Sequence, residues 1–148
     1  MNVQDLKSKF EELKKKFLGG KYDEVIEECN LVLKKNKIDV FYNLLCLSYN
    51  NKNNITKAIS VMESALKVNP NNIDFLNNLG MFYSNIYKYK KAEDYYKKGL
   101  KIDGNNLSLL NNLANLKKNL DQNDAAISIY EKILLIKPKE LAIMYNFC

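Results

Sequence analysis

The chain has 148 residues, 47% hydrophobic and 27% charged, with a formal net charge of +6. That size and balance exclude a disordered chain and suggest one domain with a real core. No apolar run approaches the ~18 residues of a membrane span. All 23 basic side chains are Lys, and His and Trp are absent. The usual base for Ser or Cys nucleophiles is therefore missing, as are the arginine forks that clamp phosphate and read guanine.

The chain begins MNVQDLKSKF with acidic residues close behind, unlike a signal or transit peptide, which favours the cytoplasm. Leu6, Phe10, Leu13 and Phe17 then make a helical stripe beside Lys7, Lys9, Lys14, Lys15 and Lys16. A basic amphipathic helix of this kind can lie on anionic membranes. Gly19-Gly20 turns the chain straight back, however, so the stripe is expected to pack on the next helix. Tyr22, Val25, Cys29, Val32 and Leu33 supply that helix, and 5–38 forms a divergent first repeat.

From residue 39 the pattern becomes regular. Phe41, Tyr42, Leu45, Cys46 and Tyr49 mark a helix, and Ile55, Ala58, Ile59, Met62, Ala65 and Leu66 mark its return. The pair recurs as Phe75, Leu76, Leu79, Gly80 and Tyr83 with Tyr89, Ala92, Tyr96 and Leu100. It recurs again as Leu109, Leu110, Leu113 and Ala114 with Ala126, Ile127, Tyr130 and Ile133. Breakers at Asn69-Pro70, Asp103-Gly104 and Lys137-Pro138 separate the pairs. Leu45, Leu79 and Leu113 form one column at a spacing of 34 residues. Ala58, Ala92 and Ala126 form another, and Met62, Tyr96 and Tyr130 a third. Cys46, Gly80 and Ala114 are small so that two helix backbones can approach closely.

Such a period marks a helical-hairpin solenoid, in which no unit buries its own apolar face alone. The fold class is all-α: a right-handed superhelical solenoid of about nine antiparallel helices in a single domain, 1–148. Its repeats are 5–38, 39–72, 73–106 and 107–140, and 141–148 opens a further helix. That end, LAIMYNFC, is not the polar cap a solenoid usually carries, so the chain is expected to be a fragment of a longer protein or to end at a partner surface.

These columns resemble the tetratricopeptide repeat. The best copy is Leu76, Leu79-Gly80, Tyr83, Tyr89, Ala92, Tyr96 and Gly99-Leu100, and the 39–72 copy is nearly as good. The 107–140 copy departs at Lys117 and Ile133. The resemblance implies a protein-interaction module whose first helices line a concave groove.

On each first helix a polar stripe faces away from the apolar one: Asp74, Asn77, Asn78, Met81 and Asn85 in the middle copy. Asn43, Asn77 and Asn111 share a column, as do Asn78, Asn112 and Asn146. Asn51, Asn85 and Asn119 share a third, and these read as helix C-terminal caps. Lys, Asn, Ile and Tyr belong to A/T-rich codons, yet composition bias alone does not produce such columns; duplication of an ancestral unit could. Some tetratricopeptide proteins bond a peptide backbone through a ladder of groove asparagines, and Asn78, Asn112 and Asn146 resemble it. A carboxamide both donates and accepts, matching any peptide unit. Leu47 and Met81, with Asn115 third, are candidates for an anchor pocket or for packing against the next repeat. The columns of the family's carboxylate clamp hold Val40, Asp74, Ser108 and Ala142, so a cationic clamp is not expected.

The expected function is non-enzymatic binding of a partner's peptide segment through Asn43, Asn77, Asn78, Met81, Asn111, Asn112, Asn115 and Asn146. No catalytic group, cofactor, metal, nucleic acid or membrane is expected. The alternatives are an assembly module that self-associates through its C-terminal helix, and a regulatory domain of a larger protein.

Overall fold

The computed structural model describes residues 2–137. Among them are eight helices and no strand: α1 (Val3–Leu18), α2 (Tyr22–Lys35), α3 (Asp39–Asn51), α4 (Ile55–Val68), α5 (Ile73–Asn85), α6 (Tyr89–Ile102), α7 (Leu107–Asn119) and α8 (Asn123–Ile136). The expected ninth helix lies outside the described residues. The chain divides into two compact units, Met1–Pro70 and Asn71–Cys148.

In the first unit α1 packs on α2 and α3, α2 on α3, and α3 on α4. In the second, α5 packs on α6 and α7, α6 on α7, and α7 on α8. The 34-residue columns are the core of each unit. Leu45, Leu79 and Leu113 are buried, as are the three alanines and Met62, Tyr96 and Tyr130. Leu110, Ala114, Ala126, Tyr130 and Ile133 form one cluster, with Leu100 and Ile136 packed at its edge. At Gly80 the need for a small residue is steric, since a Cβ there would stand 2.2 Å from the Tyr96 ring.

The asparagine clusters that read as breakers also start helices. Asn2, Asn54, Asn72 and Asn106 are N-caps whose side chains accept from the amides of Asp5, Lys57, Phe75 and Leu109. Each satisfies a backbone donor that the first turn leaves unpaired. Asn51, Asn85 and Asn119 are the last helical residues of α3, α5 and α7. Asn51 Nδ2 donates back to the Leu47 carbonyl at 2.9 Å. The left-handed residue comes two positions later, at Asn53, Tyr87 and Asp121, with φ of 58°, 61° and 57°.

Asn and Asp tolerate that conformation and Tyr does not. Tyr87 is exposed, and its ring meets Tyr89 edge-on at 6.1 Å, a contact solvent weakens. Tyr87→Asn is therefore expected to raise stability by about 0.5–1 kcal/mol. The check is the urea midpoint, which should rise while the m-value stays put; a lower midpoint would show that the ring contact outweighs the backbone strain.

α1 bears out its apolar stripe. Leu13 is fully buried, Phe10 meets Phe41 at 5.7 Å and Phe17 meets Tyr22 at 5.4 Å, both edge-on. On its other flank Lys9 and Lys16 donate to the Glu28 carboxylate, Lys16 at 2.6 Å. Lys16 first and Lys9 second hold that carboxyl below its usual range.

Candidate functional site

α5 and α7 are the first helices of the two pairs in the second unit, and they are in contact. Their apolar sides are buried through Phe75, Leu79 and Phe82 and through Leu109, Leu113 and Leu116. Helical periodicity therefore leaves the asparagine stripes on the other side. Asn77, Asn78, Met81, Asn111 and Asn112 are half-buried there, and Asn115 is more exposed.

Two of these residues meet. Asn112 Nδ2 donates to Asn77 Oδ1 at 2.8 Å, joining α7 to α5. The bond links neighbouring columns, one residue beyond the 34-residue period. It uses one donor of Asn112 and the carbonyl of Asn77. The Asn112 carbonyl oxygen and the Asn77 amide hydrogens make no further bond among the described residues. Together they offer a carbonyl acceptor and more than one N–H donor, enough to complement a peptide unit.

The other expected residues divide. Asn111 makes no side-chain bond among the described residues. Asn78 and Asn43 are already engaged in interactions of their own. Asn115 Oδ1 accepts from the Tyr130 hydroxyl at 2.8 Å, giving that deeply set phenol a partner. Burial pushes the Tyr130 hydroxyl up from its ordinary pKa. Asn115 thus has a structural duty that its column did not reveal. Asn43 belongs to the first unit, on α3 beside Val40, Leu44 and Leu47. Asn146 lies outside the described residues.

An ion-pair cluster of the second unit joins α6 to α7. Glu93 accepts from Lys117 at 2.8 Å and from Lys97 at 2.6 Å, and Lys117 followed by Lys97 holds its carboxyl below the usual range. This explains the departure at Lys117. In the other two copies a tyrosine stands in that column with a lysine over its ring, Lys57 over Tyr49 at 5.4 Å and Lys91 over Tyr83 at 5.0 Å. The third copy has Ala125 where those lysines stand, and an ion pair replaces the cation–π contact. The clamp columns present Val40, Asp74 and Ser108, all exposed and none cationic.

Burial pushes the thiols of Cys29 and Cys46 up to about 12, so neither supplies a thiolate at neutral pH. Among the described residues no three metal-ligating side chains come together, and no helix is long and apolar enough to cross a membrane.

Family models described as Tetratricopeptide repeat match residues 38–72, 61–94 and 107–140, together more than half of the chain. No curated protein matches it significantly. Among solved structures it is similar to a thermophilic TPR protein of Thermus thermophilus, at 21% identity and a TM-score of 0.76, covering 91% of this chain and 75% of that one. MamA is similar at 20% identity and a TM-score of 0.79, over 99% of this chain and 81% of its own. The first TPR of Spaghetti, bound to the HSP90 peptide SRMEEVD, is similar at 16% identity and a TM-score of 0.63, over 69% and 83%.

Proposed function

The chain belongs to the tetratricopeptide-repeat family of protein-interaction modules, and from that premise we propose that the α5–α7 face binds an extended segment of a partner protein by its backbone. The observation that carries this is the Asn77–Asn112 pair, with Asn111 beside it. One acceptor and at least one donor stand half-buried on a face that the core does not use. Met81 adds an adaptable apolar contact at the edge of the stripe. That a fold relative holds a peptide supports the reading.

Each neutral hydrogen bond contributes a net ~0.5–1.5 kcal/mol, so two bonds correspond to roughly a five- to hundredfold change in affinity. The test begins with peptides selected from a random displayed library on the purified chain. Asn77→Ala with Asn111→Ala is expected to weaken the best binder by about tenfold or more while moving the melting temperature little. N-methylation of the peptide's central amide should weaken it comparably, whereas alanine replacement of its central side chain should not. Binding that survives the double substitution unchanged sinks this reading.

A further inference from the structure

The first unit carries a different surface. Between α1 and α3 lies a groove of about 310 Å³, walled by Phe10, Phe17 and Leu18 on one side and by Val40, Leu44 and Leu47 on the other. Residues 40, 44 and 47 stand in the columns that hold Asp74, Asn78 and Met81 in α5 and Ser108, Asn112 and Asn115 in α7. A stripe that is mostly polar in the second unit is apolar here. Leu18 is 76% exposed, Val40 43% and Leu47 41%. Three large apolar side chains thus meet solvent around one concavity, where a partner would cover them.

The cations of α1 are sorted around this groove. Lys9 and Lys16, on the α2 side, are neutralised by Glu28 and Glu12. Lys14 lines the groove, and Lys7 stands two turns before it on the same stripe. Neither makes an ion pair among the described residues. Glu11 stands on the same stripe between them, four residues after Lys7 and three before Lys14, but makes an ion pair with neither among the described residues, and no carboxylate among them lines the groove. An apolar floor with unneutralised lysines along one rim is complementary to apolar side chains flanked by carboxylates.

Two other occupants fit less well. A bilayer needs apolar side chains that project, but the Phe10 and Phe17 rings are turned onto Phe41 and Tyr22, and the remaining apolar surface lines a concavity. A second copy of this chain would bring another net charge of +6 to the same lysines.

We infer that the α1–α3 groove docks an amphipathic acidic segment of a partner protein, its apolar side chains on the floor and its carboxylates on Lys7 and Lys14. Seven residues along α1 span ~10.5 Å, so acids at i and i+7 of a helical segment share one stripe and reach both lysines, while apolar residues at i+3 and i+6, to one side of that stripe, face the floor. This rests on the chain being a peptide-binding module, but not on the asparagine face of α5 and α7.

The same peptide selection separates the two surfaces. Peptides with paired apolar residues and acids seven apart are expected to be enriched. Their affinity, read by fluorescence anisotropy, should fall about tenfold or more with Lys14→Glu and with Leu47→Asp, both exposed positions, and should fall as salt rises. A charge-reversed peptide should bind the Lys14→Glu variant better than the wild type. Asn77→Ala with Asn111→Ala should leave these peptides unaffected. If every selected peptide depends on the asparagines and none on Leu47, this inference fails and the backbone-reading face stands. If every one depends on Leu47 and none on the asparagines, the reverse holds. Lys14-dependent binding to phosphatidylserine vesicles, with no Leu47-dependent peptide, would replace the peptide by a membrane. A dimer in light scattering that Leu47→Asp abolishes would replace it by a second copy.

Discussion

Gly80→Cys is expected to destabilise the second unit by about 2 kcal/mol, and adding Tyr96→Met should recover most of that loss. A Cβ at position 80 would stand 2.2, 2.5 and 2.8 Å from three atoms of the Tyr96 ring, closer than real Cβ contacts come. That ring is buried and cannot swing into water. Two effects compete. Leaving glycine in a helix interior gains up to about 1 kcal/mol of propensity, less for cysteine than for alanine. Overpacking a dense core costs about 1–3 kcal/mol, and so severe a contact belongs at the upper end.

The other copies show how the chain resolves the same conflict. The first unit holds Cys46 and Met62 in these two columns, both buried. The last pair holds Ala114 with Tyr130, whose hydroxyl is held by Asn115. Tyr96 has Met81 in that place, which offers no such acceptor. Gly80→Cys with Tyr96→Met rebuilds the Cys46–Met62 combination inside the second unit. Urea denaturation of the four proteins in the cycle reads the coupling. If the two single losses simply add, the ring contact is not what requires a glycine at position 80.

This contact shows where the sequence was legible. The apolar columns could be read because burial demands the same residue class at the same helical position in every copy. Leu79, Ala92 and Tyr96 therefore predicted the core and the helix pairs. The polar run around Asn53 reads as a turn, but the left-handed residue that recurs at Asn53, Tyr87 and Asp121 does not show as a column, since tyrosine gives no turn signal. The asparagines were harder still. One residue type serves as N-cap at Asn72 and Asn106, as an interhelix bond at Asn77 and Asn112, and as a phenol's partner at Asn115. Columns treat position 77 as kin to position 111, whereas the bond runs from 77 to 112. Helices packed side by side meet with an offset that a strict 34-residue comparison hides. The apolar change in the groove columns of the first unit was written in the chain as Val40, Leu44 and Leu47. Val40 reads there as the lack of a clamp cation and Leu47 as an anchor; Leu44 and the facing residues of α1 join them as one surface only when α1 lies on α3.

Phe41→Ala should lower stability by about 3–5 kcal/mol, with the damage concentrated in the first unit. Phe41 is buried and its ring receives Phe10 edge-on. α1 packs only on α2 and α3 among the principal helix contacts, so it has few other holds. Leu13 and the Phe17–Tyr22 contact remain after the substitution, as do the lysines on Glu28. Those ion pairs are partly exposed, and pairs of that kind contribute about 0–1 kcal/mol each, too little to offset the cavity. Phe41→Leu, which keeps most of the volume, should cost less than about 1.5 kcal/mol. Hydrogen exchange separates local from global loss. Amides of α1 should exchange about a hundredfold faster in Phe41→Ala, the rate equivalent of roughly 3 kcal/mol, while those of α7 and α8 change far less. Phe41 does not line the α1–α3 groove, yet it fixes the wall that carries Phe10, Lys14 and Phe17. Phe41→Ala should therefore weaken acidic-segment binding without removing a contact to the segment. If α1 keeps its protection, the Phe10–Phe41 contact is not what holds the helix, and Leu13 with the Phe17–Tyr22 contact suffices.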